Sequence, residues 1–143
     1  MSYTVENASA WPLEQLAPYM SDVLREMGRL AKRYSKDTST TALFQEFLAG
    51  RKTLWLVRDG EAFVAMALTT IKTVDATATR IFTLCDLAGK DVARFADELT
   101  TAMEDSAAQN DCSVIAVEGR SGWEKFLKPR GYKTHATLYR KLR

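Results

Sequence analysis

The chain has 143 residues, 46% hydrophobic and 27% charged, which fits one globular domain (residues 1–143) and excludes a disordered chain. Its 20 Lys and Arg against 18 Asp and Glu leave a formal charge of +2, too even to point to nucleic acid or a membrane surface on charge alone. Two cysteines and one histidine cannot supply the usual four-ligand zinc site, so no metal is expected, and Cys85 and Cys112 lie in apolar segments as reduced core thiols would.

The first residues lack a basic region followed by an apolar run, and no apolar run approaches the roughly 18 residues that cross a bilayer. The expectation is a cytoplasmic protein that does not span a membrane. From Pro12 onward, Leu13, Leu16, Ala17, Met20, Val23, Leu24, Met27, Leu30 and Ala31 recur at three- and four-residue steps. This predicts an amphipathic helix that Pro18 interrupts or divides in two. A polar loop over 32–41 precedes a short helix over 42–49, closed by Gly50. The period then changes to that of strands: 53–58, the Asp59-Gly60 hairpin turn, a partner over 62–70 reaching toward Thr73, a turn at 75–78, and 80–85.

After residues 87–91, Val92, Phe95, Ala96, Leu99, Ala102 and Met103 mark the apolar face of a long helix that fades at 109–111. A strand over 112–117, a short helix over 122–128 ended by Pro129 and Gly131, and a last strand over 133–140 complete the order. A meander followed by a strand-helix-strand crossover predicts an α/β (α+β) fold, a mixed and mostly antiparallel sheet flanked by helices.

The stretch Gly119-Arg120-Ser121-Gly122-Trp123-Glu124-Lys125-Phe126-Leu127-Lys128-Pro129-Arg130-Gly131-Tyr132, with its short helix and Gly-aromatic pair, resembles the C-terminal third of GNAT (GCN5-related N-acetyltransferase) proteins. The order of elements over residues 10–142 and the Leu54-Trp55-Leu56-Val57 strand with its Asp59-Gly60 hairpin resemble that family too. The Gly-Arg-x-Gly-Trp pattern is also similar to short GNAT-like proteins of tailed phages, some tied to virion assembly.

The resemblance implies that acetyl-CoA lies where the fourth and fifth strands splay apart, its pyrophosphate on backbone N–H groups at the start of the long helix. The family's Gln/Arg-x-x-Gly-x-Gly/Ala loop is matched in position by Leu87-Ala88-Gly89-Lys90-Asp91-Val92, with one glycine. Two readings stay open. Leu87, Ala88, Gly89, Lys90 and Val92 form a reduced pyrophosphate loop with Lys90 as a point charge, or the segment is a plain turn with Gly89 at positive φ and Asp91 capping the helix. The Asp91 carboxylate would repel phosphate.

The family's acid, a tyrosine that protonates the leaving thiolate, has no counterpart among Trp123, Phe126 and Leu127. Trp123 and Phe126 read as core anchors, leaving Tyr132 or Tyr139 as substitutes. For the base, Glu118 at the end of the fifth strand comes first and Asp86 at the end of the fourth comes next, because burial there would raise a carboxyl pKa. The alternative pairs Glu118 with Arg120. His135 has no partner in a catalytic spacing and reads as a strand histidine. The basic residues Arg120, Lys125, Lys128, Arg130 and Lys133 are offset by the acidic run from Glu98 to Asp111, which argues for a solvated or protein-contact face over nucleic acid.

Two functions follow. One is an acyl-CoA-dependent N-acyltransferase acting on a small-molecule or protein amine. The other is a non-catalytic GNAT-like component bound to the protein partners of an assembly, virion-associated if phage-encoded. The resemblance also implies a homo-oligomer through the last strands.

Overall fold

The computed structural model describes residues 2–119, 121–137 and 139–141, with the side chain of Ser121 left aside. The elements are β1 (Tyr3–Asn7), α1 (Leu13–Leu16), α2 (Met20–Arg33), α3 (Thr40–Leu48), β2 (Thr53–Asp59), β3 (Ala62–Val74), β4 (Thr79–Gly89), α4 (Val92–Gln109), β5 (Val114–Val117) and α5 (Glu124–Leu127). Short 3-10 turns join them at Ala8–Ala10, Ala17–Tyr19, Ser121–Trp123 and Lys128–Arg130. Pro18 lies in the turn between α1 and α2, so the apolar stripe is carried by two helices, as its position predicts.

The strands form one sheet in the order β1-β2-β3-β4-β5. Each neighbouring pair from β1 to β4 is antiparallel, and β5 joins β4 in parallel after the α4 crossover. This is the mixed, mostly antiparallel sheet that the sequence predicts.

Alternation along β2 and β3 sends side chains to opposite faces, and both faces are covered. On one, Phe95, Leu99 and Met103 of α4 meet Trp55, Val57, Ala65, Ala67, Phe82 and Leu84. On the other, Val23, Met27 and Leu30 of α2 and Leu43 of α3 meet Leu54, Leu56, Met66 and Leu68. Phe95 is fully buried, a contribution of roughly 1.5–3 kcal/mol for a side chain of that kind. The indole N–H of Trp55 would be an orphan in this core, and it donates to the Thr69 hydroxyl at 2.8 Å.

Three elements depart from the sequence expectation. Strand β1 was not predicted; it pairs with β2, from Tyr3↔Asp59 to Asn7↔Trp55. Strand β4 runs four residues further than its apolar pattern, to Gly89, because β3 offers it a partner as far as Ala65. The last strand is a correction: the described residues of 133–140 join no sheet and are exposed, Tyr139 at 89%. Their alternation has no apolar surface to select one face, and a strand pattern without a buried face does not set a register.

Candidate functional site

The geometry that matters lies where β4 and β5 part. Their pairing runs from Ile81↔Val114 to Leu84↔Val117, and among the described residues the last backbone bond from this side to β4 is the Glu118 N–H to the Leu84 carbonyl, at 2.9 Å. Beyond it β4 continues along β3 alone, from Asp86 to Gly89. A bulge marks the parting: Leu68 faces Asp86 and Thr69 faces Leu84, so Cys85 is the extra residue. A bulge there re-aims the side chains that follow, as bulges beside active sites do.

At its far end this half-paired strand runs into α4. Leu87 and Ala88 are strand residues, 7% and 9% exposed, packed into opposite cores. Gly89 has φ +147°, and a Cβ on it would lie 2.5 Å from the Ala65 Cα and the Val64 carbonyl oxygen. This glycine is required by the close approach of β3, so the segment expected to be a loop is largely sheet. The Lys90 N–H donates to the Val64 carbonyl at 3.3 Å, and its side chain is exposed.

Asp91 is left-handed (φ 62°, ψ 33°), and its side chain makes no cap hydrogen bond. The expected Asp91 cap is therefore corrected, whereas the positive φ at Gly89 is found. The N–H groups of Val92 and Ala93 open the 18-residue helix α4 with no intrahelical acceptor, an arrangement that favours anions.

The other end of the opening is charged. Asp86 accepts from Lys52 Nζ at 3.4 Å, and the same ammonium lies 3.2 Å from Glu46 of α3. Burial pushes the Asp86 carboxyl up, opposed by Lys52. Glu118 is 55% exposed and pairs with Lys72 of β3 at 3.1 Å. The expected alternative partner, Arg120, lies outside the described residues. Burial pushes the Cys85 thiol up to about 11, so it stays protonated at neutral pH and is no nucleophile. Beside it the buried Thr83 hydroxyl has no partner among the described residues. Asp86 and Glu118 thus sit near enough to feel each other's charge, and they differ in burial.

The aromatic residues divide. Trp123 packs against the α4-side core and lies over Gly119, where a Cβ would come within 2.2 Å of its ring. Phe126 is half-buried under Lys125, whose Nζ is 5.0 Å from the ring centre. Tyr132 donates its hydroxyl to Glu104 at 3.1 Å, and burial pushes its pKa up to about 12. Neither that engaged phenol nor the exposed Tyr139 is presented as a ready acid, and His135 is exposed. Arg130 turns onto Glu104 and Asp97 of α4, which removes it from the expected basic cluster.

Two shallow concavities of about 370 and 340 Å³ are lined by neither Asp86 nor Glu118: one lies against α4, and the other is lined by residues of β2, β3 and β4 with Gly50 and Arg51 from the turn after α3. Among the described residues no group of three or more His, Cys, Asp or Glu is arranged to hold a metal. No helix there is long and apolar enough to cross a membrane. Lys52 and Glu46 were not singled out from the sequence. They lie 34 and 40 residues before Asp86, with no local spacing to connect them.

No protein-family model matches the sequence, and no curated protein matches it. Solved structures do. A candidate acetyltransferase from Pyrococcus furiosus superposes with a TM-score of 0.71 at 15% identity, covering 99% of each chain. A transcriptional regulator from Bacillus halodurans superposes at 0.70 and 16% identity, covering 99% of this chain and 100% of its own. A candidate acetyltransferase from Clostridium acetobutylicum, solved with acetyl-CoA, superposes at 0.65 and 9% identity, covering 99% and 95%. At these identities the similarity shows the fold, and that fold is the GNAT fold.

Proposed function

We propose that this protein is an N-acyltransferase that takes an acyl group, acetyl first of all, from coenzyme A and places it on an amine. One observation carries this reading: beyond Leu84 the strand β4 is released by β5 and leads straight to the N–H groups that open α4. A strand edge can accept and donate along an extended pantetheine arm, and the helix start can take the pyrophosphate. The C. acetobutylicum structure, which shares the fold, holds acetyl-CoA. Lys90, exposed beside that start, supplies a point charge, and Val92 and Ala93 supply N–H groups.

The donor would supply an activated thioester carbonyl. Asp86 takes a proton from the acceptor ammonium, and the freed amine attacks directly with no covalent enzyme intermediate. The C–N bond would form and the C–S bond break, the nitrogen's second proton passing to solvent and the departing thiolate taking a proton from solvent in turn. Asp86 fits the base better than Glu118, because each pairs with a lysine but Asp86 is sheltered where Glu118 is half-exposed. Positioning and backbone polarisation supply the rest.

The second reading is a GNAT-like protein without catalysis, serving in an assembly. What favours it is the carboxylate of Asp91 at the anion-receptive helix start, together with the engagement of Tyr132 by Glu104.

Isothermal titration with acetyl-CoA and with CoA tests the choice. Saturable binding, weakened on the order of tenfold by Lys90→Glu through charge reversal beside the pyrophosphate, is the expected result. A Gly89 substitution is unsuited, since its side chain would collide with β3 whatever the ligand does. No binding at millimolar acetyl-CoA would move the function to the assembly role.

A further inference from the structure

The reaction above makes no use of the lysine beside its base, although the chain fixes that lysine from two directions. Helix α3 ends at Leu48, and Gly50, left-handed at φ 73°, turns the chain. The N–H groups of Arg51 and Lys52 then both reach the Glu46 carbonyl, at 3.0 and 3.2 Å. From the sheet side, the Thr70 hydroxyl of β3 donates to the Arg51 carbonyl at 3.0 Å. Lys52 therefore leaves the backbone at a set point between helix and sheet. Its ammonium sits between Glu46 Oε2 at 3.2 Å and Asp86 Oδ2 at 3.4 Å, with the side chain 19% exposed. An ammonium this sheltered and bridging two carboxylates is unlike a surface ion pair, whose partners are free to part.

We propose that Lys52 is the positioning residue for Asp86, holding its carboxylate ionised and in place on the face of β4 where the acceptor amine is deprotonated. The inference rests on the reading of Asp86 as the base. The groups whose charges bear on Asp86 come from the neighbouring elements: Glu46 from α3, Lys52 just ahead of β2, Cys85 on β4, and Glu118 just past β5, itself paired with Lys72 of β3. Cys85 is a neutral thiol at working pH. Burial, Glu46 and Glu118 all favour the protonated acid, and Lys52 is the cation that opposes them. Removing Lys52 therefore leaves a buried carboxyl beside Glu46 and Glu118 without the cation that pairs with it, and the group protonates at a higher pH.

The test compares Lys52→Met, which keeps the stem and loses the charge, with Lys52→Arg, which keeps a cation. The Asp86 midpoint is read on the whole protein by carboxyl-carbon NMR, which needs no acceptor. Acetyl transfer from acetyl-CoA to butylamine, a simple primary-amine probe, supplies the pH profile of kcat/KM. Lys52→Met should raise the Asp86 midpoint by about one pH unit or more, move the acid limb of the profile with it, and be rescued by Lys52→Arg.

Glu46→Gln gives an independent check of opposite sign, should Lys52→Met fail to fold. It removes a repulsive charge and leaves Lys52 to Asp86 alone, so the midpoint should fall. A midpoint unmoved by Lys52→Met, or raised by Glu46→Gln, overturns the inference. A midpoint that moves as expected while Asp86→Asn transfers acetyl as fast as the wild type, or while the wild type transfers none, overturns instead the reading of Asp86 as base. Lys52 would then act on a carboxylate without a part in the reaction.

Discussion

Two residues two positions apart, Gly89 and Asp91, have positive φ at the start of α4 for different reasons. Gly89 has no room for a side chain, so its identity is fixed by β3 and tells nothing about a ligand. Asp91 is exposed, and its carboxylate makes no cap bond, so what fixes it is the left-handed turn alone. A left-handed conformation favours glycine, and a non-glycine residue there is strained by roughly 1 kcal/mol. Asp91→Gly should relieve that strain and lose about as much through the freer unfolded chain, leaving Tm nearly unchanged. Its effect on binding should be larger. Removing a negative charge from beside the helix start should tighten acetyl-CoA on the order of tenfold if the pyrophosphate sits there. Titration calorimetry of wild type and variant reads this directly, and equal affinities would place the phosphates elsewhere.

At the scale of elements, the long helices and the hairpin were legible because their signals are local. The three- and four-residue steps of α2 and α4 and the Asp59-Gly60 turn need no knowledge of the rest of the chain. What was not legible depends on distant partners. The end of β4 reads as a loop from Gly89, Lys90 and Asp91, and becomes strand as far as Gly89 because Ala65 to Leu68 lie alongside. Asp86 and Glu118 could be named from their places at strand ends, but their ranking needed burial, and Lys52 needed the turn after α3. That turn makes the stability of α3 a matter for the site. Ser39 caps α3 by accepting from the Ala42 N–H at 3.1 Å. Ser39→Ala should cost about 1 kcal/mol, or about 2–4 °C in Tm for a chain of this size. Since Glu46 lies well past the first turn, the Asp86 midpoint should stay where it is. Thermal unfolding with no loss would mean that the cap does not hold in solution.

At the scale of the molecule, the GNAT fold accounts for the opening between β4 and β5 but does not by itself assign a reaction, since a transcriptional regulator and candidate acetyltransferases share it with this chain. The C-terminal segment is where the whole-chain reading of the sequence and the structure differ most, and the difference has a measurable consequence. The described residues 133–137 and 139–141 are exposed and join no strand, and Arg140 pairs with Asp37 at 2.7 Å, with each side chain about half-exposed. An exposed pair of this kind contributes little and fades with salt. The segment is anchored instead at its root, where Tyr132 meets Glu104. A chain ending at Lys133 should therefore unfold at nearly the same temperature as the full chain and bind acetyl-CoA as well. Were 133–140 a sixth strand on the outer edge of β5, the same truncation would remove a ladder of backbone bonds and its cross-strand pairs, and Tm would fall by about 10 °C or more. Differential scanning calorimetry of the two chains separates the outcomes, and a large fall would show that the alternation in the sequence had been read correctly as strand.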